Sequence, residues 1–315
     1  MATNSKGSSY SVAEMISQKS GKGLNRSVEK AIPWILFAIA GVSVLTTIGI
    51  VFTLIFETFT FFSRVSVFEF ITGTEWFPFS NQNPSYGIIP LISGTLKITG
   101  IAVVVAVPIG LASAIYLSEY ATDRSRRFIK PILEVLAGIP TIVFGFFALT
   151  FVTPLLESFI PELSIFNALS PGIVVGIMII PMIASLSEDA MSSVPNSIRE
   201  GAQALGATKL EVALKVVLPA AVSGIVASIV LAISRAIGET MIVTVAAGAS
   251  PNLSWNVTDS IQTMTAYIVQ VSTGDAGYGT TIYYSIYAVG FTLFLFTLGM
   301  NLLAQYISKR FREEY

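Results

Sequence analysis

The sequence predicts an all-α protein that crosses a membrane six times and carries a helix-turn-helix between its fourth and fifth crossings. Three observations lead there. The 315 residues are 53% hydrophobic and only 12% charged, with a mean hydropathy of +0.74, far too apolar for a soluble domain of that length. Six apolar runs reach or approach the roughly 20 residues that a helical crossing needs. Lys and Arg gather in alternate connections between those runs.

Residues 1–29, rich in Ser, Gly and Lys, read as a flexible arm. The first crossing falls within 30–64, with its apolar run at 32–56. That run is too long for a cleavable signal, and no small-residue cleavage site ends it. Residues 65–92 form an outer loop containing Glu75-Trp76-Phe77-Pro78 and a Pro84-Ser85-Tyr86-Gly87 turn. A core over 93–308 holds the other five runs, at 93–117, 132–156, 170–187, 217–246 and 282–306. Within it lie a polar connection, 188–219, and a second long loop, 247–281, with Trp255 among Gly, Ser, Asn and Pro. The tail is 309–315. The aromatic residues of the two long loops either mark the membrane interface or form a docking surface for an external partner.

Orientation follows from the basic residues. The arm, the second-to-third connection (Arg124, Arg126, Arg127, Lys130), the fourth-to-fifth connection (Arg199, Lys209, Lys215) and the tail hold fifteen of the eighteen. The three opposite loops hold Arg64 alone. The positive-inside rule puts both termini and the 188–219 connection in the cytoplasm.

Composition also excludes chemistry. The chain has no cysteine and no histidine, which removes disulfides, thiolate or imidazole metal sites and Ser-His or Cys-His catalysis. An intramembrane hydrolase would need a Ser-Lys or carboxylate pair, and Glu57 and Glu239 stand alone on their spans. A gradient-driven secondary transporter would normally show repeated halves, and no internal repeat is visible. No G-x(4)-G-K-[ST] loop is present to bind ATP.

Pro108, Pro140 and Pro181 fall inside apolar runs. Proline frees a carbonyl, which protein or a wet cavity must satisfy. These positions therefore line a passage, or reflect the general tolerance of membrane helices for proline. Arg235 and Glu239 lie deep in the fifth run, four residues apart, so one helix face would carry both. Buried intramembrane charges mark a pathway by default, and a mutual ion pair locking the bundle is the alternative. An anion crossing here would need a cation to offset its desolvation, and the planar guanidinium fork of Arg235 could meet two oxygens at once. Glu239 would then latch Arg235 when the passage is empty. Gly238 and Ser234 would let another helix approach closely. Lys97 is either a second such cation or a residue snorkelling to the interface.

The connection 188–219 carries the most specific pattern. Glu200, Ala202, Gly206, Val216, Leu218 and Pro219 are spaced E-x-A-x-x-x-G-x(9)-V-x-L-P. Ser197 with Glu200, and Thr208 with Glu211, form two possible capping boxes, so short helices can start at Ile198 and Lys209. Gly206 would turn the chain between them. This spacing resembles the coupling loop of type I ABC-importer permeases, with departures at Gly201 and Val216. The block from Ser234 to Met241 resembles the R-A-x-G-E-T block of phosphate-importer permeases, and the block from Leu136 to Gly145 is similar to their third-span block. Gly73-Thr74-Glu75-Trp76 and the segment from Gln262 to Tyr267 point to the PstC type rather than the PstA type. The resemblance covers residues 65–308. It implies the type I importer fold and a heterodimer with a PstA-like permease subunit. It also implies a PstB-like ATPase dimer that docks on the coupling loop and a PstS-like phosphate-binding protein outside. The chain itself would hold no cofactor, since ATP and Mg belong to the ATPase. A sister PstA-type subunit, or a permease for sulfate or molybdate, is the nearest alternative.

Overall fold

The computed structural model describes residues 23–80, 82–274 and 276–310. The arm up to residue 22, and residues 311–315 of the tail, lie outside the described residues. The chain divides into two units, 1–53 and 54–315. Helix α1 (Gly23–Phe62) supplies the first crossing, and its apolar side chains from Ile32 to Phe52 stand exposed, as a lipid-facing surface requires.

The centre of the second unit is a pair of long helices, α3 (Ile89–Ile115, continued by a π turn at Tyr116–Tyr120) and α7 (Leu169–Ser192). They meet along a seam of small residues. A Cβ added at Gly172 would lie 2.7 Å from the Ile101 side chain, and one at Gly176 would lie 2.9 Å from that of Val105. Membrane helices associate through such close approaches, because lipid offers no hydrophobic gain. Ala102 and Ala106 of α3 and Val175, Ile179 and Ile183 of α7 are the middle of the largest core.

Pro108 and Pro181 break neither helix. Both helices run on past their prolines, and Pro108 stands exposed on the outer side of α3. The third apolar run does break. Helix α4 (Asp123–Ala137) ends at Gly138, and the crossing resumes as α5 (Thr141–Phe147), a π turn (Ala148–Val152) and α6 (Thr153–Glu157), after a bend of 86°. Pro140 sits at the start of α5 with extended backbone rather than within a helix, where its missing N–H is no loss. Helix α4 is amphipathic, with Phe128, Ile132 and Val135 exposed on one side, so the sequence run 132–156 joined two differently directed elements.

The fifth run is likewise bent. Lys209–Ala220 meets α11 (Val222–Ile237) at 73°, and α11 stops at Gly238, well short of residue 246. Among the described residues, four continuous helices are long and apolar enough to cross a membrane, and six crossings result when each bent pair counts as one. The last is α14 (Thr281–Arg310).

Both long loops are structured. After α2 (Val67–Thr72), a two-stranded antiparallel ladder, β1 (Trp76–Phe77) with β2 (Ser85–Tyr86), pairs Trp76 with Tyr86. Residues 247–281 contain α13 (Met264–Thr273), capped by the Thr263 hydroxyl on the Ala266 N–H. Trp76, 1% exposed, stands edge-on to Tyr267, Phe70 and Tyr86. Such edge-to-face pairs add about 0.5–1.5 kcal/mol each beyond burial, so the two loops form one aromatic-packed cap.

Candidate functional site

Arg235 lies in the last turn of α11, where the helix dipole favours a cation. Among the described residues it makes no ion pair, and its side chain stands exposed on a cavity of about 380 Å³. Lys130 and Glu134 of α4, and Met178, Pro181 and Ser185 of α7, line the same cavity. Of the three prolines, Pro181 alone shares this cavity with Arg235; Pro108 and Pro140 do not border it.

Glu239 does not share a helix face with Arg235. The helix ends at Ile237, Gly238 and Glu239 form an unwound link, and the chain restarts as α12 (Met241–Ala246). The Glu239 carboxylate turns forward and accepts from the backbone N–H of Met241 (3.1 Å) and Ile242 (3.3 Å). The Thr265 hydroxyl donates to the Glu239 carbonyl at 2.7 Å. The expected latch between the two charges is therefore absent. Capping wins because the first N–H groups of α12 have no intrahelical partner and that of Ile242 is buried, where leaving it unsatisfied costs about 1–3 kcal/mol. The link also leaves Gly238 exposed, so it ends a helix rather than admitting one. Lys97 is tied by its ammonium to the Ser254 carbonyl of the outer loop, which removes it as a free pathway cation.

The helix-turn-helix of 188–219 forms much as its residues direct. Helix α8 (Asn196–Ala204) starts two residues before Ile198, with no side-chain cap at Ser197, so the Ser197–Glu200 box does not form. Gly206 takes φ +90°, and N–H bonds from Gly206 to Gln203 and from Ala207 to Ala202 complete a Schellman turn. Helix α9 (Lys209–Val212) opens with the Thr208–Glu211 capping box. The Thr208 N–H and Lys215 hold the Glu211 carboxyl at about 2, well below the usual carboxylate range. A π turn (Ala213–Val217) and α10 (Leu218–Ala220) follow, with Pro219 in the first turn of α10.

The patterned residues divide into two groups. Ala202, Val216 and Leu218 pack on a small core of Ala114, Met191, Val194, Val212 and Val217, and so fix the element to the ends of α3 and α7. Glu200, Gly206 and Pro219 face outward. Leu205, at the tip, is 91% exposed, a large apolar side chain that the spacing pattern passes over. Its place just before the turn glycine was the available signal.

Residues 106–313 match the family described as binding-protein-dependent transport system inner membrane component. The chain is 32% identical over 246 residues to the probable ABC transporter permease protein YqgH of Bacillus subtilis, covering 78% of this chain and 79% of that one. It is 34% identical to the phosphate transport system permease protein PstC of Xylella fastidiosa, covering 75% and 77%. In three dimensions it is similar to a chain of a bacterial alginate ABC transporter crystallised with its pentasaccharide-bound periplasmic protein. The TM-score there is 0.62 at 17% identity, over 93% of this chain and 99% of that one, a likeness of fold alone. Bent third and fifth spans, a projecting helix-turn-helix and these matches agree: the chain belongs to the binding-protein-dependent inner membrane components, the permease subunits of ABC importers.

Proposed function

We propose that this chain is the PstC-type half of a phosphate importer's transmembrane pathway, and that Arg235 is the cation that meets the anion within it. The observation that carries this reading is the guanidinium of Arg235, in no ion pair among the described residues, on a cavity beside a span unwound at Gly238 and Glu239. A mobile anion of one to two charges needs a donor fork that no internal carboxylate has claimed. Relatives named as phosphate permeases support phosphate over sulfate or molybdate. Uptake into liposomes by the assembled complex, with each of the three anions offered in competition, tests the cargo. Equal displacement of phosphate by sulfate or molybdate would overturn it.

In this reading a PstA-like subunit supplies the other half of the pathway, and a PstB-like ATPase dimer receives Glu200, Gly206 and the exposed Leu205. A PstS-like protein delivers phosphate to the outer cap, where Trp255 and Tyr278 stand 91% and 81% exposed. Leu218, Pro219 and Ala202 hold the coupling element in shape. ATP and Mg bind the ATPase, so the chain carries no cofactor of its own. Alternating access is then a two-state change biased by nucleotide.

The basic-residue asymmetry puts both termini and the coupling element in the cytoplasm of a prokaryotic inner membrane. In the cysteine-free chain, Ser80→Cys and Ser254→Cys should react with an impermeant thiol reagent in intact cells. Ser125→Cys should react only after permeabilisation. Labelling of position 125 in sealed cells would reverse the topology.

A further inference from the structure

Arg199 precedes the first residue of the coupling pattern and lies outside that pattern, yet it makes four polar contacts at the cytoplasmic end of the protein. Its Nε donates to Glu119 Oε1 at 3.3 Å. One terminal nitrogen donates to the Val194 carbonyl at 2.5 Å and to Asn196 Oδ1 at 3.1 Å, and the other to the Met191 carbonyl at 2.6 Å. Four of its five N–H groups are engaged. The pair is enclosed, with side chains 14% and 10% exposed. Glu119 belongs to the π turn that ends the second crossing, and its Oε1 also accepts from Ser118. Met191 and Val194 lie where the fourth crossing ends. A single guanidinium on α8 thus reaches the ends of both helices of the central pair.

We infer that Arg199 is a positioning residue of energy coupling, the joint that fastens the coupling helix to the second and fourth crossings at once. Packing of Ala202 and Leu218 is non-directional and lets a helix rock on its seat. A planar fork on three carbonyl or amide oxygens and one carboxylate does not. Push or pull applied to α8 by an ATPase therefore reaches α3 through Glu119 and α7 through its terminal carbonyls. Lysine keeps the charge but donates from one point, so it cannot hold both ends.

This inference rests on the ABC-importer reading, and its test separates the two. The full complex, with partner permease, ATPase and binding protein, is reconstituted in liposomes, and ATP hydrolysed per phosphate taken up is measured. Arg199→Lys should assemble in normal yield and raise that ratio about tenfold, the scale of coupling changes along such networks. Glu119→Gln, which leaves the α7 contacts intact, should raise it about threefold. A wild-type ratio in either variant, or loss of assembled complex with the ratio unchanged, would show Arg199 to be structural only. If Arg199→Lys does not accumulate, Glu119→Gln decides alone. A wild-type complex that hydrolyses ATP without moving phosphate would overturn the cargo instead, and stimulation of hydrolysis by the binding protein then ranks the variants.

Discussion

Phosphate uptake by a complex carrying Arg235→Gln should fall to background while its yield and thermal stability stay at wild-type values. Arg235 is exposed and makes no ion pair among the described residues, so its removal should change folding by no more than about 0.5 kcal/mol. Transport loses two charge-assisted hydrogen bonds of about 1.5–3 kcal/mol each, a reduction on the order of a hundredfold or more. Glu239 should behave in the opposite way. In Glu239→Gln an amide oxygen can still cap α12, and uptake should survive. Glu239→Ala uncaps the Met241 and Ile242 N–H groups, the second of them buried, and should lower stability by about 1–3 kcal/mol. Uptake per assembled complex, with thermal melting of each variant, separates the roles. If the double replacement by leucine transported normally, neither charge would serve the anion.

The second large effect lies at the coupling element. Gly206→Leu should leave the protein in the membrane at its normal level and abolish uptake. At φ +90° an L-residue is strained by roughly 1–2 kcal/mol, and nothing within 4 Å of the added Cβ opposes a local rearrangement. The turn would relax, moving Leu205 away from its place at the tip. Glu200→Lys should uncouple as well, by reversing an exposed charge on the docking face. It sits mid-helix in α8, so no cap is lost. Co-purification of the ATPase with each variant, alongside uptake, reads the effect. Normal values of both in both variants would remove 188–219 from the coupling path.

Much of this was legible because apolar length, basic asymmetry and capping are local signals. Thr208 with Glu211 and the left-handed Gly206 could be read within a few residues. The break at Gly238 and Glu239 could not, since a glutamate capping the helix two residues onward looks, in sequence, like a charge on a continuous helix. Two of the three prolines misled for the converse reason: Pro108 and Pro181 are absorbed in α3 and α7, whereas Pro140 does mark a true bend, at Gly138–Pro140, and the other bend, near Ala221, has no proline at its break. Helix α13 hides in a loop rich in Gly and Ser because its burial against Trp76 and Thr95 is supplied from far along the chain. Buried Glu188, facing Arg126 at 3.7 Å and Lys130 at 2.5 Å, is likewise set by tertiary packing.

The glycine seam between α3 and α7 makes a mechanical distinction. With Ile101 seated over Gly172 and Val105 over Gly176, neither helix can slide or roll without driving side chains into backbone, so the two behave as a single keel. Flexing must then concentrate at the hinges outside it, 138–140 and 238–240. The ATPase stroke would tilt the keel whole while the short helices beyond the hinges open and shut the bore. Spin labels placed across the seam should keep one distance in nucleotide-free and ATP-bound complexes, whereas labels bridging residue 239 should not. A shifting seam distance would mean that the keel itself bends.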